Sequence, residues 1–220
     1  MSFGNGDLYV EELMPNARHI EVQILADNAG NVVHLFERDC SVQLRNQKVL
    51  EIAPAPNVDP ALRAQLHADA IKLAKASNYS CAGTVEFLVQ PDSGEYFFIE
   101  CNPRIQVEHT VTEQVTGIDL VESQFKIASG SSLADLGLSQ DSISTRGYSI
   151  QARVVATGTG TLTSYMAPSG AGIRVDGSGY VGYTPAPQFD PLLAKVICSH
   201  PAENLQSSID RSIRALEEFH

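Results

Sequence analysis

The 220-residue chain is 43% apolar and 19% charged, enough for one large domain or two small ones around a sizeable core. Its net charge of −11 argues against a nucleic-acid backbone as partner, because phosphate contacts need clustered Lys and Arg, but a nucleotide can still bind through a few local cations and a metal. No apolar run approaches the ~18 residues of a membrane-spanning helix, the N-terminus lacks the basic and apolar regions of a signal peptide, and the spaced cysteines Cys40, Cys81, Cys101 and Cys198, with no C-x-x-C pair, read as reduced thiols of a cytoplasmic protein.

Ser2 to Asp7 is a small, polar lead-in. Leu8 to Met14 predicts a short strand running into a turn at Pro15-Asn16. His19 to Leu25 alternates, with Ile20, Val22 and Ile24 on one face and His19, Glu21 and Gln23 on the other. The turn cluster Asp27 to Asn31 returns the chain through a partner strand, Val32 to Phe36. Glu37 to Lys48 is too polar for a core element. It reads as a connector whose long donors (Arg38, Gln43, Arg45, Gln47, Lys48) reach phosphates or pair on the surface. Asp59-Pro60 opens a helix, an acceptor at the N-cap before proline, with Leu62, Leu66, Ile71, Leu73 and Ala74 on its apolar side. Asp119 with Glu122 resembles a capping box for a second helix that buries Leu120, Val121, Phe125 and Ala128 and stops at Gly130. Ser131 to Thr145 is the candidate boundary. Short strands follow at Tyr148–Val155, Ile173–Val175, Tyr180–Tyr183 and Ala194–Cys198. Pro201 opens a last helix with the stripe Leu205, Ile209, Ile213 and Leu216, which reaches His220 without a stop signal, as expected of a piece of a longer protein.

Between the first two helices lies the stretch on which the reading turns, Thr84 to Thr110. Two period-2 runs flank Asp92-Ser93-Gly94, which suits a three-residue hairpin loop with Gly94 left-handed. That register sets Glu86 opposite Glu100; a four-residue loop does not. Facing carboxylates repel. A raised pKa or a shared cation resolves the repulsion. An oxygen-only pair followed by Asn102 suits Mg²⁺ or Mn²⁺. A solvated hairpin face with two surface acids is the alternative.

Glu100-Cys101-Asn102-Pro103-Arg104-Ile105-Gln106-Val107-Glu108-His109 resembles the signature of biotin carboxylases, in the ATP-grasp superfamily. Arg18 to Gln23, Glu37 to Gln43 continuing through Gln47-Lys48 to Pro56, Arg146 to Arg153, and Gly182-Tyr183 to Lys195 are similar to further blocks of that family. The resemblance covers nearly the whole chain. It implies an α+β fold: the C-terminal half of an ATP-grasp domain over 1–135, an antiparallel sheet with flanking helices, then a biotin carboxylase C-terminal domain over 136–220. The implied chemistry is ATP-dependent carboxylation of biotin by bicarbonate through carboxyphosphate. By resemblance, Glu86, Glu100 and Asn102 hold the metal bridging the ATP phosphates. Arg104, Gln106 and the Val107 backbone form the bicarbonate pocket, and Glu108 is the general base. Arg153 stabilises the biotin anion. Lys48 serves the bicarbonate and terminal-phosphate side, Glu11, Glu12 and Met14 read the adenine, and His19 and Gln43 approach ribose or phosphates. His109 is expected to pack or support rather than catalyse.

The family commonly carries Arg-Arg-His where this chain has Leu44-Arg45-Asn46, and an acidic segment where this chain has Ala156 to Gly160. The family's N-terminal domain and glycine-rich lid are expected before Ser2, so this polypeptide alone is expected to turn over little. Implied partners are ATP, bicarbonate, a biotin carrier domain and a carboxyltransferase domain or subunit, with a possible homodimer through the C-terminal domain. The alternatives are another ATP-grasp ligase such as carbamoyl-phosphate synthase, or a non-catalytic dimerisation module.

Overall fold

Alternating β-branched residues build strands β1 (Arg18–Ala26), β2 (Val32–Leu44), β3 (Gln47–Ala53), β4 (Cys81–Val89), β5 (Tyr96–Asn102), β6 (Tyr148–Val155), β7 (Ile173–Gly177) and β8 (Leu192–His200). The helices are α1 (Pro60–Ala76), α2 (His109–Thr116), α3 (Leu120–Ala128) and α4 (Leu205–Glu217). This computed structural model describes residues 6–8, 10–186 and 190–220. The strands form a single antiparallel sheet in the order β5-β4-β1-β2-β3-β6-β8-β7. The β3–β6 pairing carries it across the expected boundary near residue 135. Among the described residues no helix is long and apolar enough to cross a membrane.

Period-2 alternation sorts the β1 side chains. Ile20, Val22 and Ile24 pack with Val85 and Phe87 of β4 under Leu66, Ala70 and Ala74 of α1. Asp59 caps α1 by accepting from Ala61 N at 2.9 Å and Leu62 N at 3.2 Å, as its sequence predicts. On the opposite face, Leu25 joins Leu35, Leu120, Ile127, Leu133 and Ile143 in a second core. Leu133 and Ile143 belong to the segment expected to be a boundary. Gln140 also ties that segment to β2, exchanging hydrogen bonds with the His34 backbone at 2.9 and 3.2 Å. It is packed, not a free linker.

Several expectations are corrected. Residues 8 and 10–14 form no strand, and Leu8, Val10 and Leu13 stand exposed, because no sheet edge pairs with them (Tyr9 lies outside the described residues). Glu37 to Lys48 is no connector: β2 runs on to Leu44, a two-residue turn at Arg45-Asn46 with φ of +53° and +62° reverses it, and β3 follows. Glu37 and Arg38 are buried among other polar groups while residues 41–47 stay exposed, so composition gave the wrong answer. Tyr180 to Tyr183 is not a strand. Helix α2, built from His-Thr-Val-Thr-Glu-Gln-Val-Thr, went unread because threonines and valines are weak helix formers; Gly117 at φ +73° ends it. In α3 the capping box forms its Asp119-to-Glu122 N bond at 2.7 Å, yet Ser123 and Ile127 are buried while Val121 and Phe125 are exposed. In α4, capped by Asn204 and not opened by Pro201, Ser208 and Ala215 face the sheet, and Ile213 and Leu216 face outward.

The central hairpin reaches its expected register by another route. Val89 faces Tyr96, and Gln90 N donates to Glu95 O at 2.8 Å, so the loop has four residues, Pro91 to Gly94. A one-residue bulge in β5 then shifts the ladder between Phe87↔Phe98 and Glu86↔Glu100. The bulge restores the pairing that the longer loop would have removed.

Candidate active site

Glu21 and Gln23 of β1, Arg38 of β2 and Thr84 of β4 point from the sheet toward α2, and all are fully buried. Arg38 is the hub of this polar layer. Its Nε donates to Glu21 Oε1 at 2.6 Å, Nη1 to Gln23 Oε1 at 2.7 Å and Thr112 Oγ1 at 3.0 Å, and Nη2 to Gln106 Oε1 at 3.2 Å and Thr84 Oγ1 at 3.3 Å. All five guanidinium protons are used. Arg38 therefore does not reach for phosphates as its polar context suggested; it supports the layer above. Burial alone would raise the Glu21 carboxyl, but the charges of Arg38 and Lys48 overcome it and hold its pKa low.

Above this layer opens a cleft of about 540 Å³. The β2–β3 hairpin contributes Gln43, Asn46, Gln47 and Lys48. The β4–β5 hairpin and its exit loop contribute Glu86, Glu100, Asn102, Arg104, Gln106, Val107 and Glu108. The far wall carries Arg153, Val155 and residues 190–192. His19 completes it, so eleven expected site residues, from His19 to Arg153, meet in one place. Glu11, Glu12 and Met14 are not brought to its wall; the expected strand that would carry them has no partner. Arg45 is exposed at the hairpin tip and does not line the cleft. Asn46 sits where the turn demands a left-handed residue, which asparagine tolerates better than most.

Lys48 is the second hub. Its Nζ lies 2.6 Å from Glu21 Oε2, 2.6 Å from Glu108 Oε1 and 3.4 Å from Glu86 Oε1. Burial disfavours the ammonium, but Glu21 and Glu108 outweigh it and hold its pKa above the lysine range. Gln43 Nε2 donates to His19 Nδ1 at 3.1 Å, and His19 Nε2–H donates a hydrogen bond to Glu86 Oε2 at 2.6 Å. Burial would raise Glu86, but this bond and the Lys48 charge bring its pKa down to about 2. Asn102 Nδ2 bridges the acids, 2.8 Å from Glu86 Oε1 and 2.9 Å from Glu100 Oε1. Glu100 is exposed, and Glu86 receives Gln106 Nε2 at 2.7 Å. A carboxylate held well below its usual range and facing a second one offers oxygen ligands to a hard divalent cation, while the Asn102 amide nitrogen lies between them and its oxygen faces Arg104. Arg104 lies exposed at the rim, donating to Asn102 Oδ1 at 3.2 Å.

The sequence reading missed part of the support. Arg153 meets Glu108 Oε2 at 3.2 Å and Glu51 Oε1 at 2.6 Å. Glu51 also accepts from Gln151 Nε2 at 2.8 Å, and Thr110 donates to Gln151. Burial pushes Glu51 up to about 7 despite the Arg153 charge. Burial pushes the Cys40 thiol well above its usual value. Glu51 was legible only as one acid on an unrecognised strand.

The domain family described as carbamoyl-phosphate synthase L chain, ATP binding domain, matches residues 1–136, and the biotin carboxylase C-terminal domain matches residues 150–220. A pyruvate carboxylase of Pichia angusta is 50% identical over 227 residues, 99% of this chain and 19% of the relative. Among solved structures, the complex of biotin carboxylase with β,γ-ATP from Campylobacter jejuni superposes with a TM-score of 0.93 at 41% identity, covering 100% of this chain and 49% of that one. The biotin carboxylase domain dimer of Hydrogenobacter thermophilus 2-oxoglutarate carboxylase, in complex with MgADP, ADP and bicarbonate, gives 0.90 at 43% identity, over 96% and 47%. The chain spans about a fifth of the length of the curated relatives it matches and about half of these two structures.

Proposed function

The chain belongs to the biotin carboxylase family, and from that premise we propose that it supplies the metal, bicarbonate and biotin-facing part of an ATP-dependent biotin carboxylase site. The observation that carries this reading is Glu108, a buried carboxylate gripped by Lys48 on one oxygen and Arg153 on the other, beside the Glu86–Glu100 pair. A base, an anion clamp and a cation site thus share one cleft. Residues 1–135 act as the ATP-grasp portion and 136–220 as the start of the C-terminal portion, a division supported by the two family matches.

Glu86 and Glu100, with Asn102, hold Mg²⁺ or Mn²⁺, whose positive charge offsets that of the phosphates. Arg104 with Gln106 and the Val107 backbone binds bicarbonate, as a planar guanidinium fork suits a planar anion. Glu108 takes the bicarbonate proton. The freed oxygen attacks the terminal phosphorus, the bond to ADP breaks, and carboxyphosphate forms. Lys48 neutralises charge on that side. Carboxyphosphate then splits to CO₂ and phosphate. The biotin ureido nitrogen gives its proton to that phosphate and bonds to CO₂, while Arg153 stabilises the anion. His19 and Gln43 approach the ribose or phosphates. Family likeness alone supports Glu11, Glu12 and Met14 as adenine contacts.

The carrier domain and a carboxyltransferase are the proposed partners. The dimeric Hydrogenobacter relative supports pairing, and family likeness alone supports the C-terminal portion as its place. Cysteines without disulfides fit a reducing compartment such as the cytoplasm. The test is phosphate release from ATP by the full-length carboxylase. Release that requires bicarbonate and rises with free biotin is expected. Release that responds to ammonia and not to biotin would replace this reading with a carbamoyl-phosphate synthase.

A further inference from the structure

Arg153 of β6 lies directly opposite Lys195 of β8, and Asp176 of β7 lies opposite Lys195 in turn. Like charges facing across a ladder are destabilising. This pair is tolerated because each cation has its own anion, Glu51 and Glu108 for Arg153 and Asp176 for Lys195, and the two side chains reach neighbouring residues of one loop. Arg153 Nη2 is 3.2 Å from Glu108 Oε2, and Lys195 Nζ donates to Val107 O at 3.0 Å. Lys195 is 8% exposed, and burial lowers its pKa. Its countercharge is Asp176 at 3.4 Å, which Arg174 holds on both oxygens at 2.8 Å. Arg174 continues to Glu113 of α2 at 2.7 Å. On the other side of the same turn, His109 Nδ1 donates to Gln106 O at 2.7 Å. Successive carbonyls, those of Gln106 and Val107, are therefore held by separate donors. The donor on Val107 comes from a strand about 90 residues away, whose position the sheet fixes.

We propose that Lys195 is a positioning residue for the carboxylation site: by holding the Val107 carbonyl it fixes the Val107–Glu108 peptide, and so the orientation of the Glu108 carboxylate and of the bicarbonate pocket beside it. Lys195 ends a stretch similar to the family, but it does not line the cleft and reaches the loop through the Val107 carbonyl. The inference rests on the function proposed above.

The test uses the full-length carboxylase and follows bicarbonate-dependent ATP cleavage. Lys195→Met keeps the length of the side chain and removes the donor. Loss of one hydrogen bond from a charged donor predicts a fall of about tenfold or more in kcat/KM for bicarbonate, with KM for ATP unchanged within about twofold. Lys195→Arg, which can still donate, restores most of it. Hydrogen exchange is expected to quicken in Lys195→Met only in the peptide spanning 103–109. If Lys195→Met does not fold, Lys195→Gln, with a shorter neutral donor, takes its place with the same readouts. An active parent whose variant keeps its bicarbonate kcat/KM, or whose 103–109 exchange is unchanged, overturns the inference alone. Parallel losses in ATP KM and thermal midpoint overturn it too, since they mark general destabilisation. A parent without bicarbonate-dependent cleavage overturns the functional reading and this inference with it.

Discussion

Replacing Arg38 with Met strips five hydrogen bonds from a layer that water does not reach. Glu21, with 0% exposure, is left with Lys48 as its one cationic neighbour. Gln23, Gln106, Thr84 and Thr112 each lose a donor. Breaking a buried ion pair from one side costs about 3–5 kcal/mol, because the surviving charge stays desolvated. For a chain of this size that is a fall in thermal midpoint of roughly 6–20 °C. Arg38→Met with Glu21→Gln removes the orphaned charge as well and is expected to recover about half of the loss. Urea unfolding followed by far-ultraviolet circular dichroism at neutral pH measures both. A single variant that loses less than about 1 kcal/mol, or a double variant no more stable than the single, would refute the view that Arg38 balances a buried carboxylate.

Four further outcomes follow from the same geometry. Native Glu51 titrates at about 7 against an ordinary 4.5, so it holds a proton that the unfolded chain has released. Its contribution to stability is full below the unfolded value and is lost as pH rises through the folded one, and Glu51→Gln should remove that descent from the stability–pH curve. His34, stacked on His67 at 4.0 Å, is lowered by burial and then by His67 to about 4 from an ordinary 6.5. Its contribution is present above the unfolded value and lost as pH falls toward the folded one, so His34→Gln should flatten the acid limb; an unchanged limb would clear His34 of that role. A Cβ on Gly147, at φ +65°, would sit 1.9 Å from the His200 carbonyl oxygen, so Gly147→Ala should cost more than about 2 kcal/mol by chemical denaturation. Glu100→Gln should weaken Mn²⁺ binding in the nucleotide complex of the full-length enzyme by at least about tenfold, read by electron paramagnetic resonance, and an unchanged affinity would remove Glu100 from the metal set.

The local devices were legible because each is made by neighbours in sequence. Asp59 before Pro60, Asp119 before Glu122, and the alternation of Ile20, Val22 and Ile24 all depend on residues within a few positions of one another. The loop Glu100 to His109 was legible by resemblance. The hairpin shows the limit. Its Glu86–Glu100 pairing was foreseen, but from a three-residue loop that does not form, and the bulge near Ile99 that restores the register has no local signal in an aromatic run. The polar run Glu37 to Lys48 was misjudged for a related reason. Composition measures affinity for water, whereas Arg38 finds its hydrogen-bond partners on β1, β4, the exit loop and α2.

By itself, then, the sequence determined that Thr84 to Thr110 folds as a hairpin with an acid-rich exit, and which family it serves. The tertiary structure decided that the site has two cationic hubs, Arg38 beneath and Lys48 within, and that β6 and β8 hold the Glu108 loop from the far side. Those contacts join residues 15 to about 90 positions apart, and only a folded sheet brings such distant charges into one water-poor volume where each alters the ionisation of the next.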